Sequence, residues 1–188
     1  DGHRSVVLWW RSARLLVSRH DDAGWTSAET LSDPPAGDEQ PGSVEAAAMD
    51  ASGDHAVVLW SRQSTGMSVR SWDGGSWSAP TAGLALPTRT EFAAAVSADA
   101  ATAVISWPEF GGAVARVGTA YWRAGTWAAP RLRAAQGMAD APQVALSADG
   151  LRELIAYRGS GGIRAELTVG SRATAPVVVG PGTAAYDQ

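Results

Sequence analysis

The sequence predicts an all-β chain built from four repeated, four-stranded sheets, and three observations predict it. A polar turn followed by an apolar strand ending in an aromatic residue recurs along the chain. A second, tryptophan-centred motif follows the copies at a fixed distance. Between the two lie short runs enriched in β-branched and aromatic residues and punctuated by Gly, Asp and Ser, with no stretch that carries a helical stripe between caps.

The first landmark is "MDASGDHAVVLW" (49–60), "VSADAATAVISW" (96–107) and "LSADGLRELIAY" (146–157), whose aromatic ends Trp60, Trp107 and Tyr157 stand 47 and 50 residues apart. The opening "DGHRSVVLW" fits the same template, with Trp9 standing 51 residues before Trp60. The second landmark is "GWTSA" at Trp25, "SWSAP" at Trp77 and "TWAAP" at Trp127, spaced 52 and 50, while the fourth copy keeps "TAP" (174–176) behind Ala173. Within one copy, "VEAAAM" (44–49), "AVVLWS" (56–61), "MSVRSW" (67–72) and "WSAPT" (77–81) read as four strands joined by tight turns. The Ala-rich segment "FAAAVSADAATAV" aligns with these strand–turn–strand copies and is read as strand on that ground. Four strands in a unit of 40–50 residues is the signature of a β-propeller blade.

The expected repeats are about 1–42 together with 183–188, then 43–90, 91–141 and 142–182. The Ala residues at 46–48 and 93–95 fall on inner strands, where neighbouring blades crowd together. Links rich in Pro and Gly ("LSDPPAGDEQPG", "AGLALPTR", "AAQGMADA") carry the chain to the next blade. Two closures stay open. Residues 183–188 complete the first blade of a four-blade ring, or the chain is a portion of a larger propeller whose partner is an edge-to-edge dimer mate or further blades.

Composition narrows the function. The chain has 188 residues, 45% hydrophobic and 18% charged, with a formal net charge of −4. Its basic residues are 15 Arg and no Lys, spread without clustering, so a nucleic-acid-binding face is not expected. There is no Cys, which removes disulfides and thiolate metal sites. No apolar run approaches the roughly 20 residues of a membrane-spanning helix. The N-terminal "DGHRSVV" has no signal-peptide pattern and reads as the start of a processed or trimmed chain. The Arg-only, Ala- and Gly-rich composition suggests a GC-rich bacterial source.

The "SADG" turns before strands that end in an aromatic, with the later "GTWAAP" and "GSWSAP", resemble repeats of secreted bacterial β-propellers, both sialidase-like Asp-box propellers and propeller lectins. Ser71, Asp73, Gly75 and Trp77 match the Asp-box pattern with one residue dropped; Asp22, Gly24 and Trp25 match it in part, and Arg123 stands in place of the Asp in the third copy. The resemblance implies a secreted or cell-surface location and a hairpin-stabilising role for the box, away from any active centre.

Catalysis is not the expectation. A sialidase-like hydrolase needs clustered arginines and a Tyr–Glu pair, and Tyr121 and Tyr157 sit where packing explains them. Glu45 and Glu91 enter successive inner strands and read as a solvated rim rather than a hydrolytic pair. His3, His20 and His55 lie in or beside turns without metal-ligand spacing, the carboxylates of "DASGD" depart from calcium loops, and "GSGG" (159–162) lacks the setting of a phosphate loop. No catalytic residue, metal or cofactor is assigned.

Tryptophan is the remaining lead. Trp9, Trp60, Trp107, Trp25, Trp77 and Trp127 recur at fixed positions and read as core plates, each indole N–H bonded to a backbone carbonyl. Trp72 and Trp122, with Arg70 and Arg123 beside them, stand five residues before the second landmark. They are the candidate ligand-binding residues if part-exposed, while edge-of-sheet packing is the favoured reading of the two rings. The expected function is a carbohydrate-binding module, ahead of a protein-interaction or structural portion of a larger extracellular protein and of a sialidase-like fragment.

Overall fold

The computed structural model describes residues 4–32, 44–62, 66–84, 93–109, 116–134, 140–159, 161–170 and 172–180, and among these every regular element is a β-strand. Four antiparallel sheets follow one another along the chain. Blade 1 holds β1 (Ser5–Arg11), β2 (Arg14–Asp21), β3 (Gly24–Trp25) and β4 (Glu29–Thr30); blade 2 holds β5 (Val44–Met49), β6 (Ala56–Arg62), β7 (Gly66–Trp72) and β8 (Thr81–Leu84). Blade 3 comprises β9 (Ala93–Val96), β10 (Thr102–Glu109), β11 (Arg116–Arg123), β12 (Thr126–Trp127) and β13 (Arg131–Ala134). Blade 4 comprises β14 (Asp140–Leu146), β15 (Arg152–Gly159), β16 (Gly162–Val169), β17 (Arg172–Ala173) and β18 (Val177–Gly180). These are the blades of a β-propeller. The inner strands β5, β9 and β14 lie side by side, and among the described residues blade 1 has no counterpart to them.

The outermost strand of each blade is broken in two, and the second landmark explains how. After the landmark position the chain leaves the ladder for three residues, which in blades 2, 3 and 4 end in Pro80, Pro130 and Pro176, residues with no N–H to donate. The residue that opens the break still pairs: the N–H groups of Thr26, Ser78, Ala128 and Thr174 donate to the carbonyls of Arg19, Ser71, Tyr121 and Leu167. Where that residue carries a hydroxyl it also accepts the neighbour's N–H, from Arg19 to Thr26 Oγ1 (3.0 Å), Ser71 to Ser78 Oγ (3.1 Å) and Leu167 to Thr174 Oγ1 (3.1 Å).

The turns between first and second strands are built from their own side chains. Ser97 Oγ accepts the Thr102 N–H (2.9 Å) while Asp99 accepts from Ala101 (3.0 Å); Ser147, Asp149, Arg152 and Leu151 repeat the arrangement at 2.9 and 3.0 Å. Gly53, Ala100 and Gly150 hold the same left-handed position, at φ 74°, 54° and 65°.

Sheet stacking forms the core. Blades 2, 3 and 4 each turn their second-strand aromatic toward the blade before. Trp60 joins Leu15, Val17 and Leu31 of blade 1, and Trp107 joins Val57, Leu59 and Val69 of blade 2, whereas Tyr157 meets Val117 of blade 3. Because β6 and β10 lie between two other sheets, both of their faces are covered. This is why they read as continuous apolar runs ("AVVLW", "AVISW") instead of alternating. Trp107 lies across Gly118, its partner on β11, so closely that a Cβ there would fall 2.2 Å from the indole.

Asp50 shows what the turns contribute. Burial pushes its carboxyl up, but hydrogen bonds from the His55 ring and N–H, Ser52 and Gly53 outweigh this and hold it at about 2, below the ordinary 3.8. A carboxylate depressed by folding stabilises fully above its unfolded value, and that contribution is lost as pH falls through the folded one. Thermal unfolding followed by circular dichroism should therefore show the melting temperature of the wild type dropping between pH 3.8 and about 2, and dropping less over the same interval in Asp50→Asn.

Candidate functional site

The structure buries Trp60 and Trp107 as the expected core plates. Trp72 and Trp122, the candidate ligand platforms had they been part-exposed, are 6% and 3% exposed and belong to the inter-blade packing. The face of Trp72 is already occupied: the Arg19 guanidinium of blade 1 sits 3.5 Å above the ring, held there by Glu29 at 2.8 Å. The landmark residues read as core plates lie farther out. Trp77 packs against Trp72 with ring centroids 5.7 Å apart, Trp127 is half-buried opposite Trp122, and Trp25, stacked edge-on by His20 at 5.0 Å, is 57% exposed. The indole N–H groups of Trp77, Trp122 and Trp127 make no hydrogen bond, and that of Trp107 donates to Glu109 (3.0 Å) rather than to a backbone carbonyl.

Arg70 donates to the Thr30 carbonyl of blade 1 (3.1 Å) and ties two blades together. Asp50 spends its carboxylate on its own turn. Among the described residues no cluster of His, Asp and Glu could hold a metal ion, and no helix is long and apolar enough to cross a membrane. Glu45 accepts from Ser61 (2.8 Å), while Glu91, His3 and residues 183–188 lie outside the described residues.

Arg123 is the candidate that does reach a site. Its guanidinium bridges the seam between blades 3 and 4, donating to the Gly150 carbonyl (3.0 Å) at the rim of a cleft of about 180 Å³. Tyr121, Thr126, Arg131, Glu153 and Thr168 line the same cleft, with Arg123 and Arg131 placed 5.6 and 5.7 Å from the Tyr121 ring centre.

This seam buries charged side chains, where the buried cores of the other two are apolar. Ser106 and Thr119 are fully buried in blade 3 with unpaired hydroxyls, and blade 4 buries Glu153 (2% exposed) and Glu166. Arg133 of β13 binds both carboxylates, at 3.1 Å to Glu153 and 3.4 Å to Glu166, and reaches Thr168 at 3.3 Å. The Tyr121 hydroxyl donates to the same Glu153 oxygen, Oε2. Burial, then the hydrogen bond and charge of Glu153, raise the Tyr121 phenol well above its usual range and keep it protonated. Burial also raises Glu166, with Glu153 adding to the rise and Arg133 opposing it. Glu153 Oε1 makes no hydrogen bond, although it is buried. Such an oxygen carries a desolvation cost that no partner among the described residues offsets.

Neither Glu153 nor the role of Tyr121 was drawn from the sequence, yet a signal existed: Glu153 is in phase with Ile155 and Tyr157 on an alternating strand, so it must point inward with them.

No protein-family model matches the sequence, and no curated protein matches it. Solved structures do resemble the fold. Aleuria aurantia lectin, in complex with α-methyl-L-fucoside, superposes with a TM-score of 0.52 at 16% identity over 97% of this chain and 64% of its own. Kuenenia stuttgartiensis hydrazine synthase gives 0.52 at 12% identity over 88% and 50%, and a prolyl endopeptidase 0.50 at 14% identity over 96% and 30%. The chain thus spans between 30% and 64% of the length of these proteins.

Removing Arg133 leaves two buried carboxylates without their cation, and such losses cost about 3–5 kcal/mol. Urea denaturation of Arg133→Ala should show a stability drop of that order, and the drop should shrink in the double variant Arg133→Met/Glu153→Leu. Together these results identify a β-propeller chain with a polar cleft at its third seam.

Proposed function

We propose that this chain is a carbohydrate-binding module of a secreted or cell-surface protein, and that its ligand sits in the cleft between blades 3 and 4. One observation carries the reading: the cleft at the third seam brings together an aromatic ring, Tyr121, two guanidinium groups, Arg123 and Arg131, and the hydroxyls of Thr126 and Thr168. Sugars present acceptors for Arg123 and Arg131, hydroxyls for Thr126 and Thr168, and an apolar face for Tyr121. A cleft of about 180 Å³ suits one sugar residue rather than a long oligosaccharide. The lectin of similar fold, whose complex contains a methyl fucoside, is a precedent for the ligand class.

A hydrolase is the second reading, because Tyr121 and Glu153 form the Tyr–Glu pair that sialidase-like chemistry uses. The protonated phenol argues against it, since a nucleophile must first lose that proton.

The experiment is a glycan array followed by calorimetric titration of any hit. Binding should be seen for the wild type and weakened at least about tenfold, or roughly 1.4 kcal/mol, in Arg123→Ala. An array with no signal above background defeats the proposal. Turnover of fluorogenic sialosides or glycosides that disappears in Tyr121→Phe would replace binding by hydrolysis.

A further inference from the structure

The cleft between blades 3 and 4 gathers more positive charge than its own acids balance. Arg123 on β11 and Arg131 on β13 approach one aromatic ring, their guanidinium carbons 5.6 and 5.7 Å from the Tyr121 centre. An aromatic face attracts a cation, but two like charges beside one ring repel each other. Arg123 donates to the Gly150 carbonyl, and Arg131 makes neither a hydrogen bond nor an ion pair among the described residues. The neighbouring acids are already committed. Glu153, which lines the cleft, accepts from Arg133 (3.1 Å) and from the Tyr121 hydroxyl, and Glu166 faces the same Arg133 at 3.4 Å. Asp149, beside Gly150, turns its carboxylate onto its own turn, accepting from the Ser147 hydroxyl (2.5 Å) and the Leu151 N–H (3.0 Å). With Arg133 included, three guanidinium groups stand against two buried carboxylates, so a positive excess remains even when both are ionised.

We propose that the ligand of this cleft is an anionic hexose, a six-carbon sugar bearing a carboxylate or a sulfate ester, whose charged group is held by Arg123 and Arg131. The proposal rests on the carbohydrate-binding role argued for the same cleft and names the sugar class. A guanidinium presents a planar fork of N–H donors that matches the oxygens of either anion, and such charge-assisted bonds are about twice as strong as neutral ones. A neutral sugar settling in the cleft would take both guanidinium groups partly out of water and return no charge to them. The exposed Leu151 and the Tyr121 ring supply apolar surface for the sugar carbons, and about 180 Å³ suits one hexose ring.

Calorimetric titration of the intact chain tests this with paired probes. Methyl glucuronide, galacturonide and mannuronide, and methyl galactoside 6-sulfate, are each set beside the neutral methyl hexoside of the same configuration. At least one anionic probe should bind about tenfold tighter than its neutral partner. A preference for a uronide assigns the charge to a carboxylate and a preference for the 6-sulfate assigns it to a sulfate ester; either upholds the proposal. Raising the salt from about 0.1 M to about 1 M should shrink the preference severalfold. Arg131 is exposed and unpaired, so Arg131→Gln should keep the wild-type urea midpoint while its affinities for the two partners converge. Anionic and neutral partners that bind within about twofold of each other overturn the proposal and leave the carbohydrate-binding role standing. A preference that persists undiminished in both Arg131→Gln and Arg123→Gln overturns it as well. No binding to any probe or to the glycan array defeats both.

Discussion

A sheet with two apolar faces must be covered on both, and in this chain that need is met by stacking each sheet on the next. The decisive contact is the second-strand aromatic. Trp60 and Trp107 are almost completely buried and each reaches the blade before it, with Tyr157 doing the same at the third seam. Around this contact the remaining features follow: small Ala46 and Ala94 pack beside it, Gly118 gives the Trp107 ring its bed, and Trp72 and Trp122 fill the outer part of the same seams. The broken outer strand closes each blade without disturbing that interface, its freed backbone groups bonded at the position after the landmark.

The third seam departs from this pattern, and its departure creates the cleft. Burying Glu153, Glu166 and Arg133 together costs several kcal/mol of desolvation per ion and is recovered only through close pairing. Arg133 supplies pairing to both carboxylates, yet one oxygen of Glu153 stays unsatisfied. An apolar seam like the other two would be simpler to stabilise. The polar seam opens on a cleft lined by Tyr121, Arg123 and Arg131, and the proposed binding role rests on that departure.

The four-blade organisation was legible because its period is nearly constant and its turns carry their own chemistry. The Ser–Ala–Asp turns at 97 and 147 fold identically because the same hydroxyl and carboxylate cap the same N–H groups. The sides of the tryptophans were harder. Met67, Val69 and Ser71 alternate with Ser68, Arg70 and Trp72, which reads as an inward and an outward face. In the stack both faces are inward, so Trp72 is buried beneath Arg19 of the neighbouring blade. The second-landmark tryptophans stand on strands of two residues or on a single bridge, too short for alternation to assign a face. Glu153 could be placed inward from its phase alone, but its partners Arg133 and Tyr121 come from another blade, a placement that no local pattern encodes.

The claim that second-strand aromatics hold the blades together is tested most directly by equilibrium urea denaturation of Trp107→Ala. The account predicts a loss of about 3–5 kcal/mol, the cost of emptying a large, well-packed site that cannot collapse around it. A loss below about 1 kcal/mol, the size expected for a surface change, would contradict it and move the source of stability to the hydrogen-bonded ladders within each blade.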